Sequence, residues 1–503
     1  MADKESISYI CTHKKLFKLM KLRNLIFIPV LLLVMVCNLM SCGVDRWSEY
    51  AEMTALDNWV DTVMRKHYLW YKDIPSYNKL NQFQAPDAYL TSLLSKNDNK
   101  FSFADTILSA PLPTYGFDYT LVKNSQIDTA YHALITYIIP GSAAEKAGLR
   151  RGEWIIKMGP QYISKKYEKR LLQGTKAIEL TVGQWQKVVS KESGKATEDL
   201  YDVVANGTKQ MPAATVVVDN PVHLYKILTL SSGEKVGYLM YNSFTAGTKE
   251  EPEKYNNELR QISKELQAAN IQGLILDFRY NKGGTIDCVQ LLSTLIIPSN
   301  FLNTDMASLE YNDLNSKKNK TLKFDSKVLK EGVNLNLNTI IVLTTGTTAG
   351  APEMLMNSIN KKATKLISIG SATKGQYVAT ERFVNDTYHW AINPAVCTVY
   401  NSEKKTFIGG FAATHSINEW SDYNKVLPFG DPKEALLSIA IGVLDGTYQP
   451  PTPANSGSSS SIAPVSDLVN SPVISSTRRS GNGLPKIVSS TASRKFDEGL
   501  QIR

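Results

Sequence analysis

Three short turns in this chain carry the residue types that could do acyl-transfer chemistry. The apolar run Ile340-Ile341-Val342-Leu343-Thr344-Thr345 passes into Gly346-Thr347-Thr348-Ala349-Gly350-Ala351-Pro352-Glu353, the pattern of a buried strand delivering a small-residue turn into a helix. Upstream, Leu276-Asp277-Phe278-Arg279-Tyr280-Asn281-Lys282-Gly283-Gly284 ends a second buried strand in paired glycines. Such a pair permits a tight turn whose N–H groups point into a cleft. Downstream, Gly370-Ser371-Ala372-Thr373-Lys374-Gly375-Gln376 forms a third turn. Covalent catalysis needs a nucleophile and a base within hydrogen-bond reach. The hydroxyls of Thr347, Thr348 and Ser358 project from separate backbone positions. Lys374 could serve as a base only if its surroundings stripped its proton near neutral pH, and the Gln376 amide could not serve at all.

Together these segments resemble the carboxy-terminal processing peptidases, or tail-specific proteases. That family reads Thr/Ser-Ala-Ser-Ala-Ser-Glu around its nucleophile, Thr-x-Gly-Lys around its base, and Leu-Asp-Leu-Arg-x-Asn-x-Gly-Gly around its glycine turn. The resemblance places Gly350 at the nucleophile position, three before Glu353, so the serine is absent. It places Gln376 at the general-base position when Thr373 and Gly375 keep their register, with Lys374 the alternative base. It implies an oxyanion hole from the backbone of Gly283 or Gly284 and of Ala351. Paired donors of this kind stabilise a tetrahedral intermediate, and losing one typically costs about a hundredfold in rate. Pro352 replaces a further family hydroxyl but is well tolerated in a first helical turn. Glu353 suits a helix amino terminus through the helix dipole.

The elements that must position these turns form a multidomain α/β chain. Residues 47–112 are expected to form a helical amino-terminal domain around Trp59, Val60, Val63, Met64, Tyr68, Leu69 and Tyr71. Residues 113–221 resemble a PDZ domain. Tyr115-Gly116-Phe117 stands where that family binds a peptide carboxylate, and Pro140-Gly141-Ser142-Ala143-Ala144 through Gly148-Leu149 and Gly152-Glu153-Trp154-Ile155 keeps its spacing. Backbone N–H groups of such a loop cradle a carboxylate while the peptide adds a strand to the sheet edge. The Lys/Glu-rich stretch from Lys157 to Lys195 reads as a solvated insertion. Residues 222–447 alternate strand and helix as the peptidase-like core. From 448 to 503, Ser, Pro, Gly and Asn dominate, and this tail is expected to be disordered.

Basic residues at both ends set the net charge of +9. Residues 1–41 hold six Lys/Arg against Asp3 and Glu5, the tail after 450 holds six against Asp467, Asp497 and Glu498, and the middle keeps only +2. Nucleic acid is therefore not implied as a partner. Lys21 and Arg23, the apolar run Leu25 to Val36 and Leu39-Met40-Ser41-Cys42 read as a signal peptide over residues 1–41. Its ending resembles a bacterial lipobox, which implies acylation of Cys42 and an extracytoplasmic, membrane-anchored protein of the cell envelope. Met20 would begin a more typical signal than Met1. Cys288 and Cys397 are too far apart for a paired-cysteine metal site, the six histidines lack ligand spacing, and neither a metal nor another cofactor is expected. The resulting expectation is a peptidase-like lipoprotein that binds peptide or protein carboxyl termini with its catalysis impaired. An endopeptidase with an unrecognised nucleophile and a non-catalytic scaffold are the alternatives.

Overall fold

The computed structural model describes residues 47–106, 113–164, 174–188, 200–362, 365–450, 474–475 and 499–502. The expected signal segment and Cys42 lie outside the described residues. The chain divides into two units between Trp59 and Val60. The first contributes the opening of helix α1 (Trp47–His67), which continues into the second. There Val60, Val63 and Met64 recur at helical spacing and are buried. Helix α2 (Pro86–Leu93) starts on a proline, whose missing N–H costs nothing at that position. The Tyr68 hydroxyl donates to Asp98 Oδ2 at 2.9 Å and accepts from the Ser95 N–H at 3.0 Å. Strand β1 (Phe103–Thr106) follows.

A β-rich domain comes next: β2 (Phe117–Lys123), β3 (Tyr131–Ile138), the one-turn helix α3 (Ala143–Lys146), β4 (Trp154–Met158), β5 (Gln161–Tyr162), β6 (Ile178–Val188) and β7 (Leu200–Met211). Its core gathers Tyr119, Leu121, Ala133, Ile135, Ile155, Leu180 and Val182. Here the expectation of a solvated insertion from 157 to 195 needs correction. Residues 178–188 are a strand paired antiparallel with both β4 and β7. The alternation of Ile178, Leu180 and Val182 puts one side of its first half in the core, and the surrounding lysines and glutamates masked that period.

The peptidase-like core is a six-stranded sheet in the order β20-β15-β14-β10-β9-β8, with β8 (Val222–Thr229), β9 (Lys235–Tyr241), β10 (Gly273–Asp277), β14 (Thr339–Thr344), β15 (Lys365–Gly370) and β20 (His415–Ser416). Strands β9, β10, β14 and β15 run parallel. Both faces are covered, which is why these strands read as unbroken apolar runs. Leu274, Leu276, Ile340 and Val342 pack with residues of helices α4 (Lys254–Ala268), α5 (Ile286–Ile296) and α6 (Ala351–Ile359). Ile275, Ile341 and Leu343 point the other way, toward Leu436, Leu437 and Ala440 of α7 (Ala435–Leu444).

A second sheet has the order β11-β22-β16-β19-β12-β13. Its strands are β11 (Gly283–Thr285), β12 (Asp305–Tyr311), β13 (Lys320–Lys323), β16 (Val378–Glu381), β19 (Ala395–Asn401) and β22 (Gly499–Ile502). Between β16 and β19 the chain adds β17 (Phe383–Asn385) and β18 (Trp390–Asn393), which form a small sheet with β1. The tail was expected to lack structure from 448, yet β22 and a short β21 (Ile474–Ser475) are both paired strands. Backbone pairing needs no apolar run, so nothing in the tail's composition announces it.

Candidate functional site

Three adjacent parallel strands, β10, β14 and β15, release the three turns at their carboxyl ends, where open α/β sheets place their sites. Threonines lace the second turn onto the exit of β10. Thr345 Oγ1 donates to the Arg279 carbonyl at 2.7 Å, Thr347 Oγ1 to the same carbonyl at 3.1 Å, and Thr348 Oγ1 to the Phe278 carbonyl at 2.9 Å. The Ala349 N–H donates to the Asn281 carbonyl at 3.2 Å. Asn281, fully buried, donates its side-chain amide to the Tyr241 carbonyl at 2.8 Å and accepts the Gly283 N–H on Oδ1 at 3.0 Å. One asparagine thus fixes the glycine turn beside the turn that carries Gly350.

Glu353 ties the remaining turn in. Its carboxylate is fully buried and accepts four donors: the Gly350 N–H at 2.8 Å, the Thr373 hydroxyl at 2.5 Å, the Gly375 N–H at 2.5 Å and the Gln376 N–H at 2.9 Å. Burial pushes the carboxyl above its usual range, against the pull of these four bonds. Because Gly350 N and Gln376 N share Oε2, the two backbones lie within a single carboxylate oxygen's reach of each other. The Gln376 side chain is buried, and its Nε2 has no hydrogen-bond partner. Lys374 is exposed, with its ammonium 6.0 Å from the Phe101 ring centroid, while its N–H donates to the Thr348 carbonyl at 3.0 Å. The geometry brings Gln376 to Gly350 and sends the Lys374 side chain outward.

Gly350 caps α6 with φ +65° and ψ −97°, a strained conformation that L-residues rarely adopt. A strained strand-to-helix turn is also where serine hydrolases of other folds hold their nucleophile. Thr347 and Thr348 are engaged with carbonyls, and Ser358 lies two helical turns further along α6, about 12 Å of helix rise away. Of the expected oxyanion donors, Ala351 is the first residue of α6, where N–H groups lack intrahelical acceptors. The Gly283 N–H is given to Asn281. Gly284, at φ +130°, passes so close to Phe244 that a Cβ there would stand 2.4 Å from its carbonyl oxygen. Only glycine fits.

Beneath the site, Arg279 is wholly buried. It donates to Asp277 Oδ1 at 2.9 Å and to both oxygens of Glu434 at 2.6 and 3.1 Å, and reaches Glu419 at 3.2 Å. Arg151, from the β-rich domain, pairs with Glu434 at 3.3 Å and Glu419 at 3.5 Å. Burial would raise the Glu434 carboxyl, but the two guanidiniums hold it down at about 2.

The profile of Peptidase family S41 matches residues 235–410, and that of the Peptidase S41 N-terminal domain matches residues 55–103. An S41-family protein of known crystal structure from Bacteroides fragilis is 43% identical, with a TM-score of 0.73 over 78% of this chain and 98% of its own. The chain belongs to peptidase family S41. A photosystem II D1 C-terminal processing protease aligns at 16% identity over 74% of this chain and 95% of its own, with a TM-score of 0.38, too loose a likeness to bear on the site. No curated protein matches the sequence.

Within this S41 chain, the structural roles of three residues escaped sequence reasoning. Asn281 could have been found from its place two residues before a glycine, the signature of an Asx turn. Glu353 was visible as part of the nucleophile motif and as a helix-end acid, but its partners in the third turn leave no local trace. Arg279 had no sequence signal beyond its motif. At the expected carboxylate loop, Tyr115 is buried with its hydroxyl on the Lys176 carbonyl at 2.5 Å, and the Gly116 N–H donates to Thr114 Oγ1 at 3.1 Å. Phe117 opens β2, which pairs with β3 on one side and with β21 at Thr120 and Leu121 on the other.

Proposed function

We propose that this S41 member is an extracytoplasmic lipoprotein that binds peptide or protein carboxyl termini and does not hydrolyse them. One observation carries the proposal: the backbone at the nucleophile position is held by Glu353 in the strained turn a nucleophile would use, yet Gly350 supplies no oxygen and buried Gln376 supplies no base. Ala351, at the start of α6, keeps an N–H for a developing oxyanion, while neither Gly350 nor Gln376 can form the tetrahedral intermediate. Peptide binding draws support from β2, whose edge already takes one added strand, β21 at Thr120 and Leu121, and from the loop ahead of it; membrane anchoring rests on the Leu39-Met40-Ser41-Cys42 pattern.

The test is hydrolysis of an unfolded protein, casein, by the purified chain, alongside the variant carrying Gly350→Ser and Gln376→Lys. The natural chain is expected to leave casein intact and the double variant to cleave it. Cleavage by the natural chain that survives repeated purification would favour an endopeptidase with another nucleophile.

A further inference from the structure

The tail contributes strands to two sheets. β21 pairs antiparallel with β2, Ser475 opposite Thr120 and Ile474 opposite Leu121. β22 does more: it lies between β11 and β16, parallel to both. Gly499 stands opposite Gly283. Leu500 is level with Gly284 on one side and Ala379 on the other, and Gln501 with Thr285 and Thr380. β11 is the strand of the expected oxyanion glycines, and β16 begins two residues after Gln376. The tail backbone therefore runs between the two turns that flank Gly350.

Among the described residues no other strand joins β11 to β16: β11 ends the sheet, with Gly284 bridged to Phe244, and the other neighbour of β16 is β19. With strands about 4.8 Å apart, the two edges stand roughly 9–10 Å from each other, the width of one extended chain hydrogen-bonded on both sides. β11 presents glycine at two of its three positions, so that edge offers backbone rather than side chains. Gln501 is buried in the slot, and its side-chain amide nitrogen has no partner.

We propose that the slot between β11 and β16 is a strand-accepting site for an extended, uncharged peptide segment, held in this chain by its own Gly499–Ile502. Recognition is by the backbone ladder, as in other strand-addition sites. Attachment through the 23 residues between Ser475 and Gly499 keeps the segment at high effective concentration, so that it excludes a peptide arriving from solution. The inference deepens the peptide-binding proposal but is independent of the carboxylate loop, because a slot that reads backbone is indifferent to a terminal charge.

The test uses the full chain, a chain ending at Glu498, and the full chain with Leu500→Pro, which removes a ladder N–H. The probe is a fluorescein-labelled peptide of residues 496–503, Phe-Asp-Glu-Gly-Leu-Gln-Ile-Arg, and its carboxyl amide. Binding is followed by fluorescence polarisation and hydrogen exchange. The shortened chain and Leu500→Pro should each bind the peptide at least tenfold more tightly than the full chain, and equally well when it is amidated. Amides of residues 283–285 and 378–381 should lose protection on shortening and regain it with peptide. Unchanged protection there on shortening, or equal binding by all three proteins, would overturn the proposal. Peptide protecting only residues 117–123 would also overturn it, while leaving the carboxyl-terminus reading intact.

Discussion

Gly350→Ser adds a hydroxyl at φ +65° and ψ −97°, a sparsely populated conformation that costs an L-residue about 1–3 kcal/mol. The single variant should therefore melt a few degrees lower and remain inactive, since Gln376 cannot take the serine proton. Adding Gln376→Lys puts an amine where burial lowers its pKa toward the working range, and proteolysis should appear in fluorogenic-casein assays. Lys374→Ala in that background should leave the new activity unchanged, because the Lys374 side chain faces solvent. Loss of activity would instead make Lys374 the base. Glu353→Gln sets an amide donor against an array of donors and should destabilise the chain by about 2–4 kcal/mol, measured as a shift in urea unfolding. A neutral result would remove Glu353 as the residue that joins the turns.

Among the elements, β10 and β14 were legible because both sheet faces are covered, so Leu274 to Leu276 and Ile340 to Leu343 read as unbroken apolar runs. Helix α4 was legible from Leu259, Ile262 and Leu266, which all reach the core. The glycine turn and the Gly350 turn were visible as local patterns. What joins them was not: Glu353 meets donors 20 to 23 positions later, and Asn281 reaches back to Tyr241. β6 was obscured by its charged neighbours, while β21 and β22 pair through backbone that carries no compositional signal. One expectation at this scale concerns β2 and the loop ahead of it. If Tyr115-Gly116-Phe117 receives a carboxylate, a peptide with a free carboxyl terminus should bind the β2 edge at least several-fold more tightly than its amide. With the Gly116 N–H already given to Thr114, the remaining N–H groups must supply that preference. Calorimetry showing equal affinities would eliminate the loop as a carboxylate site.

Across residues 60–503, the buried charges beneath the site bind the β-rich domain to the peptidase-like core. Arg151 brings a guanidinium from the first to Glu434 and Glu419 of the second, next to Arg279, Asp277 and the Tyr238 hydroxyl that donates to Asp277 at 2.7 Å. Glu434 titrates near 2 in the folded chain against an ordinary 4.5. A depressed carboxyl contributes stability that is fully present above its unfolded value and lost as pH falls through the folded one. On the order of 3 kcal/mol should therefore disappear between about pH 4.5 and pH 2. Thermal midpoints across that window should fall, and Glu434→Gln should cost much more at pH 6 than at pH 2; a cost independent of pH would show that the carboxylate is not what the two arginines hold. Mass spectrometry of the mature protein should find an acylated Cys42 at its amino terminus, and an unmodified chain beginning upstream would refute the anchor.

The central claim is that an S41 scaffold here keeps its oxyanion-type turn and its nucleophile elbow but has neither nucleophile nor base. Its most direct test is casein cleavage by the natural chain and by the Gly350→Ser, Gln376→Lys variant, purified identically and assayed side by side. The account predicts none from the natural chain and clear cleavage from the variant. Cleavage by the natural chain, co-purifying through every step at constant specific activity, would contradict it.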